Sequence, residues 1–433
     1  MKKRNLIVGT QPSDVASYRR QYITAGLIFN KTVLRLILFF YGLTAINSGY
    51  AQCGDVFVDC LPPSYTCIGS LEGIPNSSST NLVDGGVYLV NGTFAFNKTQ
   101  SLNFCTFVVS PGGQLIIGPN TSSTSGYVSF DKCWFKGCTG LWQRMYIRSG
   151  WSLLFNRSKL EDSYDGIKIE DGGNLSAREN VFEDNFCSIT IDQNVGVSKS
   201  FVAVYTSEFT SSTNNLLPGF QSPYTYTKPL RGIYIRTEVP NFFITGSYFH
   251  NIQNGILLNN CNMISGIYPN NVFKDIQPIN YPNNTNGATG NAINIIGSTK
   301  TVKLVMTGKY IPNLTQPDNL GNAGSYLVGP SNNPFTFNQS ALTFNANFIN
   351  CYRGIRVQNA LSKITLNDMI DCNFGVVVTL TPSNKINEIW TNYMRGIKTV
   401  GIDINANLAS FSGDIFNNFL FVIPGCDFNV LVV

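Results

Sequence analysis

One pattern recurs along the chain and limits what it can fold into. A large apolar residue is followed two positions later by Asp or Asn. Four positions beyond that comes Gly or Ser, leading an Ile-x-Ile or Val-x-Val unit. Copies start at Leu160 (Asp162, Gly166, Ile167, Ile169), Phe182 (Asp184, Ser188, Ile189, Ile191) and Phe249 (Asn251, Gly255, Ile256, Leu258). Others start at Phe348 (Asn350, Gly354, Ile355, Val357) and Met369 (Asp371, Gly375, Val376, Val378). Trp390 with Asn392, Gly396 and Ile397, then Phe416 with Asn418, extend the series, and weaker copies start at Phe135, Phe209 and Phe273. The core period is 21 to 26 residues.

A period of this length with Asn-rich turns reads as a stacked array of short structural repeats. The alternation of Ile and Val is a strand signal. Each Gly-Ile-x-Ile unit turns Ile167 and Ile169 to one face and Lys168 and Glu170 to the other. Stacking places Ile167, Ile189, Ile233, Ile256, Ile293, Ile355 and Val376 in one internal column. A second column holds Asp162, Asp184, Asn251, Asp275, Asn350, Asp371, Asn392 and Asn418, residue types that tolerate a left-handed turn. With Gly 39, Phe 30 and Tyr 20, the composition also favours strands and turns over helices.

These repeats resemble the right-handed parallel β-helix proteins of the pectate-lyase-like superfamily, especially its secreted bacterial parallel β-helix repeat members. The resemblance spans roughly residues 85–433. It implies an all-β, single-stranded parallel β-helix. The superfamily includes polysaccharide lyases, glycoside hydrolases and non-catalytic surface proteins, so fold alone does not choose an activity.

Residues 1–51 read as a signal peptide with an extended n-region: Lys31 and Arg35, the apolar run Leu36–Ile46, then Asn47 to Ala51. Residues 52–84 read as a Cys-containing cap in which Cys53, Cys60 and Cys67 are candidates for bridging, one of them to Cys105. Residues 85–433 form the repeat array. Without the leader, the 30 Lys and Arg fall to 23 and the 25 Asp and Glu to 24. The basicity belongs to the leader, so no nucleic-acid footprint is expected. After its removal no membrane span is expected either, and the chain is placed outside the cell or on its outer surface. Cys351 and Cys372 share one repeat position and are expected as buried free thiols.

The outward face of the Gly-Ile strands is the expected working face. Two insertions, after Phe209 and after Phe273, enter at one corner beside it. The expected binding groove is Tyr234, Arg236, Leu257, Asn259 and Asn294, walled by residues 214–230 and 277–290. Phe220, Tyr224 and Tyr226 in the first loop would stack on sugar rings. The expected partner is an extracellular polysaccharide, bound rather than cleaved. The alternative is a lyase or hydrolase acting on an acidic polysaccharide. No catalytic residue can be named, since the only histidine, His250, is expected to lack an orienting partner. Glu161, Glu183, Glu170 and Asp192 are candidate Ca²⁺ ligands, without a recognisable binding loop; no other cofactor is implied.

Overall fold

The computed structural model describes residues 64–421, except for 70–73, 120–124, 193–197, 213–215, 220–228, 260–266, 268–270, 279–288, 298–301, 306–324, 329–334, 339–347, 359–361, 380–385, 406–411, 417–418 and single positions 238, 240, 366 and 391. The described residues are strands and turns, with no helix among them. The strands build three long parallel sheets. The first has 13 strands and the second 11; the third is a block of six followed by a block of four. The chain visits the sheets in turn and returns to each one strand further along. A separate antiparallel pair, Ser325–Val328 with Phe335–Asn338, lies between the third-sheet strand Val302–Val305 and the first-sheet strand Phe348–Ile349.

The anchor residues form the inner column of the first sheet. Phe135, Leu160, Phe182, Phe209, Phe249, Phe273, Phe348 and Met369 are successive Cα partners. All are sealed from solvent. Phe182, Phe209, Phe249, Phe273 and Phe348 stack almost face to face, with centroids 4.4 to 5.3 Å apart. The spacing between paired strands equals the spacing of offset stacked rings, so the fold selects Phe here; each such pair adds about 0.5–1.5 kcal/mol beyond its burial.

The second sheet carries the expected isoleucine column. Ile167, Ile189, Ile233, Ile256, Ile293, Ile355 and Val376 pair in that order, and all are buried. The column continues to Met145 and Leu115 on one side and to Ile402 on the other. The glycine before the isoleucine has a steric cause: a Cβ on Gly255 would lie 2.5 Å from the Ala292 carbonyl and 2.6 Å from the Phe273 ring.

The turn column holds at Asp162, Asp184, Asn251, Asp275, Asn350 and Asp371, all with φ between 50° and 61°. It fails at Asn392. Here Met394, not Trp390, pairs with Met369, and Gly396 takes the left-handed turn. Trp390 and Phe416 belong to third-sheet strands, and Leu420 pairs with Met394. The Gly-Ile unit of this rung is Gly401-Ile402, not Gly396-Ile397, because Val376 pairs with Ile402. Asn418 lies outside the described residues.

Asn392 instead joins a buried polar ladder two positions before each anchor. The Ser158 N–H donates to Asn180 Oδ1 (2.9 Å), the Ser247 N–H to Asn271 Oδ1 (2.9 Å) and the Asn367 N–H to Asn392 Oδ1 (3.1 Å). Each amide Nδ2 then donates to a main-chain carbonyl, as Asn180 does to Phe155 O at 2.8 Å. Cys133 occupies the same ladder position and points its thiol at Leu102 O, 3.4 Å away. Backbone groups at this corner are satisfied by side chains of the next rung, as buried groups must be.

Cys105, Cys133, Cys187, Cys351 and Cys372 are free and buried. This bears out the reading of Cys351 and Cys372 and overturns a bridge to Cys105. Cys67 and Cys138 are disulfide-bonded; Cys53 and Cys60 lie outside the described residues. Among the described residues no helix is long and apolar enough to cross a membrane.

Candidate functional site

The outward column of the second sheet runs Tyr146, Lys168, Thr190, Tyr234, Leu257, Asn294, Arg356, Val377 and Asp403 by register. Tyr234, Leu257 and Asn294 are therefore consecutive neighbours, as their sequence positions predict. Asn259 lies two residues further along its own strand, and Arg236 one residue past the end of Arg231–Ile235. Phe220, Tyr224 and Tyr226 fall outside the described residues, as does most of 277–290.

The column is not uniformly solvated. Leu257 is 7% exposed and Asn294 only 1%. Neither Oδ1 nor Nδ2 of Asn294 has a hydrogen-bond partner. Leaving a buried polar group unmet costs on the order of 1–3 kcal/mol, so native chains seldom keep one without a use. Arg356, its register neighbour, is half-buried and carries no ion pair. Burial, with Arg353 alongside, lowers its pKa from the ordinary guanidinium value. An unmatched cation beside an unmatched amide is a place for an anion that also bears hydroxyls.

Tyr234 and Arg236 have partners. The Arg231 guanidinium lies 4.6 Å from the centre of the Tyr234 ring. Arg236 pairs with Asp192 at 3.3 Å. The described part of the first insertion does not wall the groove. Leu216 and Leu217 pack with Leu141, Tyr164, Phe186 and Leu230, and the Leu141 N–H donates to Pro218 O at 2.8 Å. Residues 216–218 therefore lie over earlier rungs, because the corner there offers apolar side chains to cover.

The carboxylates proposed for Ca²⁺ split between two sheets. Glu161 and Glu183 are register partners on the first sheet, and Lys159 pairs with both. Trp134 Nε1 donates to Glu161 at 2.9 Å. Glu170 and Asp192 lie just past the ends of second-sheet strands, paired with Arg148 and Arg236. Among the described residues no group of three or more His, Cys, Asp or Glu is placed to hold a metal ion. Asp162 is pushed up to about 8 by burial, helped by Glu161 and Asp184. As a neutral acid it resembles the Asn that fills this turn elsewhere.

His250 does have a partner, contrary to the expectation from sequence. Its Nε2 lies 2.6 Å from Glu208 Oε1, and its ring stacks on Tyr248 at 4.3 Å. The pair is on the first sheet, away from the Asn294 column. Glu208 lies 42 residues earlier, across the first insertion, so linear spacing gives no hint of the contact. Lys398, two residues after Gly396, sits in a bend and donates to Asn350 Oδ1 at 3.2 Å.

Comparisons with protein-family models, curated proteins and solved structures find no match to this chain.

Proposed function

We propose that the chain is an exported, right-handed parallel β-helix of the pectate-lyase-like kind, and that it binds an extended glycan without cleaving it. Three parallel sheets visited in turn fit a coil with one strand of each per circuit, and parallel crossovers are right-handed in nearly all proteins. Export is supported by the leader pattern and by disulfide bonds at Cys67 and Cys138.

The observation that carries the binding reading is Asn294: enclosed, unmet at both polar atoms, and paired in register with an Arg that no carboxylate neutralises. An acidic sugar supplies a carboxylate for Arg356 and hydroxyls for the amide. Tyr234 and Leu257 extend the same row. Binding is favoured over cleavage because the carboxylate in this column, Asp403, stands two strands from Arg356 and three from Asn294, roughly 10 and 14 Å at the usual strand spacing, too far to act with them as an acid–base couple.

A glycan array probed with the wild type and with Arg356→Ala tests the reading. Retention of acidic glycans by the wild type and its loss in the variant are expected. Equal retention by both, or none by either, would refute it. Release of unsaturated products from an acidic polysaccharide, lost in Arg356→Ala, would establish the lyase alternative.

A further inference from the structure

We propose a second carbohydrate surface on the outward face of the third sheet, for an uncharged, extended polysaccharide. It stands on different residues from the Asn294 row and does not depend on that reading.

The face belongs to five adjoining strands: Gly126–Asp131, Trp151–Asn156, Asn174–Arg178, Phe201–Tyr205 and Asn241–Thr245. Side chains alternate in and out, so three outward rows can be read from the register; the third, Asp131, Asn156, Arg178, Tyr205 and Thr245, carries charges that are paired, Asp131 with Arg157 at 2.7 Å and Arg178 with Glu179 at 3.0 Å. The first holds Tyr127, Ser152, Asn174, Phe201 and Asn241. The second holds Ser129, Leu154, Ser176, Ala203 and Phe243. Neither of the first two rows contains a charged residue. Tyr127 is 44% exposed, Phe201 40% and Leu154 36%. Small residues separate the aromatics, so the rings stand clear of the sheet.

The rows are held firm. Asn174 Oδ1 accepts from the Phe201 N–H at 2.9 Å, and Phe201 packs on Phe243 with centroids 5.8 Å apart. Tyr127 and Phe201 are three strand steps apart, ~14 Å at the usual spacing. Each step is close to the rise of one sugar in an extended β-linked chain. A polysaccharide lying along the rows would meet aromatic rings with its C–H faces and Ser and Asn with its hydroxyls.

Chemistry and size choose this occupant. An acidic glycan has no cation to meet in these two rows, and Arg178 beside them is already paired with Glu179. The two rows cover roughly 20 by 7 Å, far below the ~800 Å² per partner of a stable protein interface. A lipid surface would leave the Ser and Asn groups unmet.

The test is depletion of the intact protein from solution by microcrystalline cellulose and by insoluble β-1,3-glucan, with phosphatidylcholine vesicles and sedimentation as parallel arms. Retention on a neutral glucan, unchanged in 1 M NaCl and at least tenfold weaker in Tyr127→Ala/Phe201→Ala, is expected, with Arg356→Ala bound as tightly as the wild type. Should the double variant fail to fold, Ser176→Arg removes no packed side chain and is expected to abolish retention. No retention on either glucan would overturn the proposal. So would equal retention by these variants, binding to vesicles alone, or self-association that the variants abolish.

Discussion

Phe209 and Phe249 stack with ring centroids 4.4 Å apart and planes 3° from parallel, although the first long insertion separates them in sequence. The stack passes the insertion without a break in register. A loop at this corner costs the core nothing, which is how the array carries long insertions. The same position accepts Leu160, so shape is more demanding than aromaticity.

Phe209→Ala should therefore destabilise the protein by about 3–5 kcal/mol, as for other buried Phe truncations. Phe209→Leu should cost under about 1.5 kcal/mol. Denaturant unfolding of the two variants measures both.

The Asn ladder makes a second prediction. Asn180→Ala would leave the Ser158 N–H and the Phe155 carbonyl buried and unpaired. A loss of about 2–4 kcal/mol is expected from two unmet groups. Asn180→Ser, which reproduces the residue used at 158 and 207, should lose less. Thermal unfolding of both variants provides the comparison.

Asp162 gives a pH dependence. Its pKa is raised in the folded chain to about 8, mainly by burial. The folded state then holds this proton more tightly than the unfolded state does. The associated stability is full below the ordinary aspartate range and is lost as pH rises through about 8. Asp162→Asn keeps a residue that tolerates the left-handed turn but has no proton to lose. It should stabilise the protein at pH 8.5 by on the order of 1–3 kcal/mol and change little at pH 4. Melting curves across that range decide it.

The thiols make a fourth. Burial pushes Cys187 up to about 12 and raises Cys133 and Cys351 as well. A thiolate reagent should leave these three untouched in the native protein and label them only on unfolding. Mass mapping after brief alkylation, with and without denaturant, separates the two states.

The repeat made the parallel strands, both inner columns and most turns legible in the sequence, because Ile at alternate positions and a fixed anchor spacing admit one register. The reading slipped after Met369 for a physical reason. Asn serves two roles in this chain, as a left-handed turn residue at 251 and 350 and as a buried amide at 180, 271 and 367. At 392 the Asn plays the second role, and Gly396 holds the turn. Turns at Lys132, Arg157, Glu179 and Thr206 were invisible too. Their side chains do not favour positive φ; hydrogen bonds to the next rung impose it, as from the Thr206 N–H to Thr245 O at 3.0 Å. In the candidate site, Tyr234, Leu257 and Asn294 were correctly placed side by side. The adjacency of Arg356 to Asn294 is not legible in linear spacing, because it depends on a pairing that skips the long insertion between them.

The most direct measurement is calorimetric titration of the intact protein with an acidic oligosaccharide selected on the array, comparing the wild type with Asn294→Ala and Arg356→Ala. The account predicts saturable binding that weakens at least tenfold in each variant, and weakens with salt for the wild type more than for Arg356→Ala. Binding of equal strength in all three proteins would contradict it.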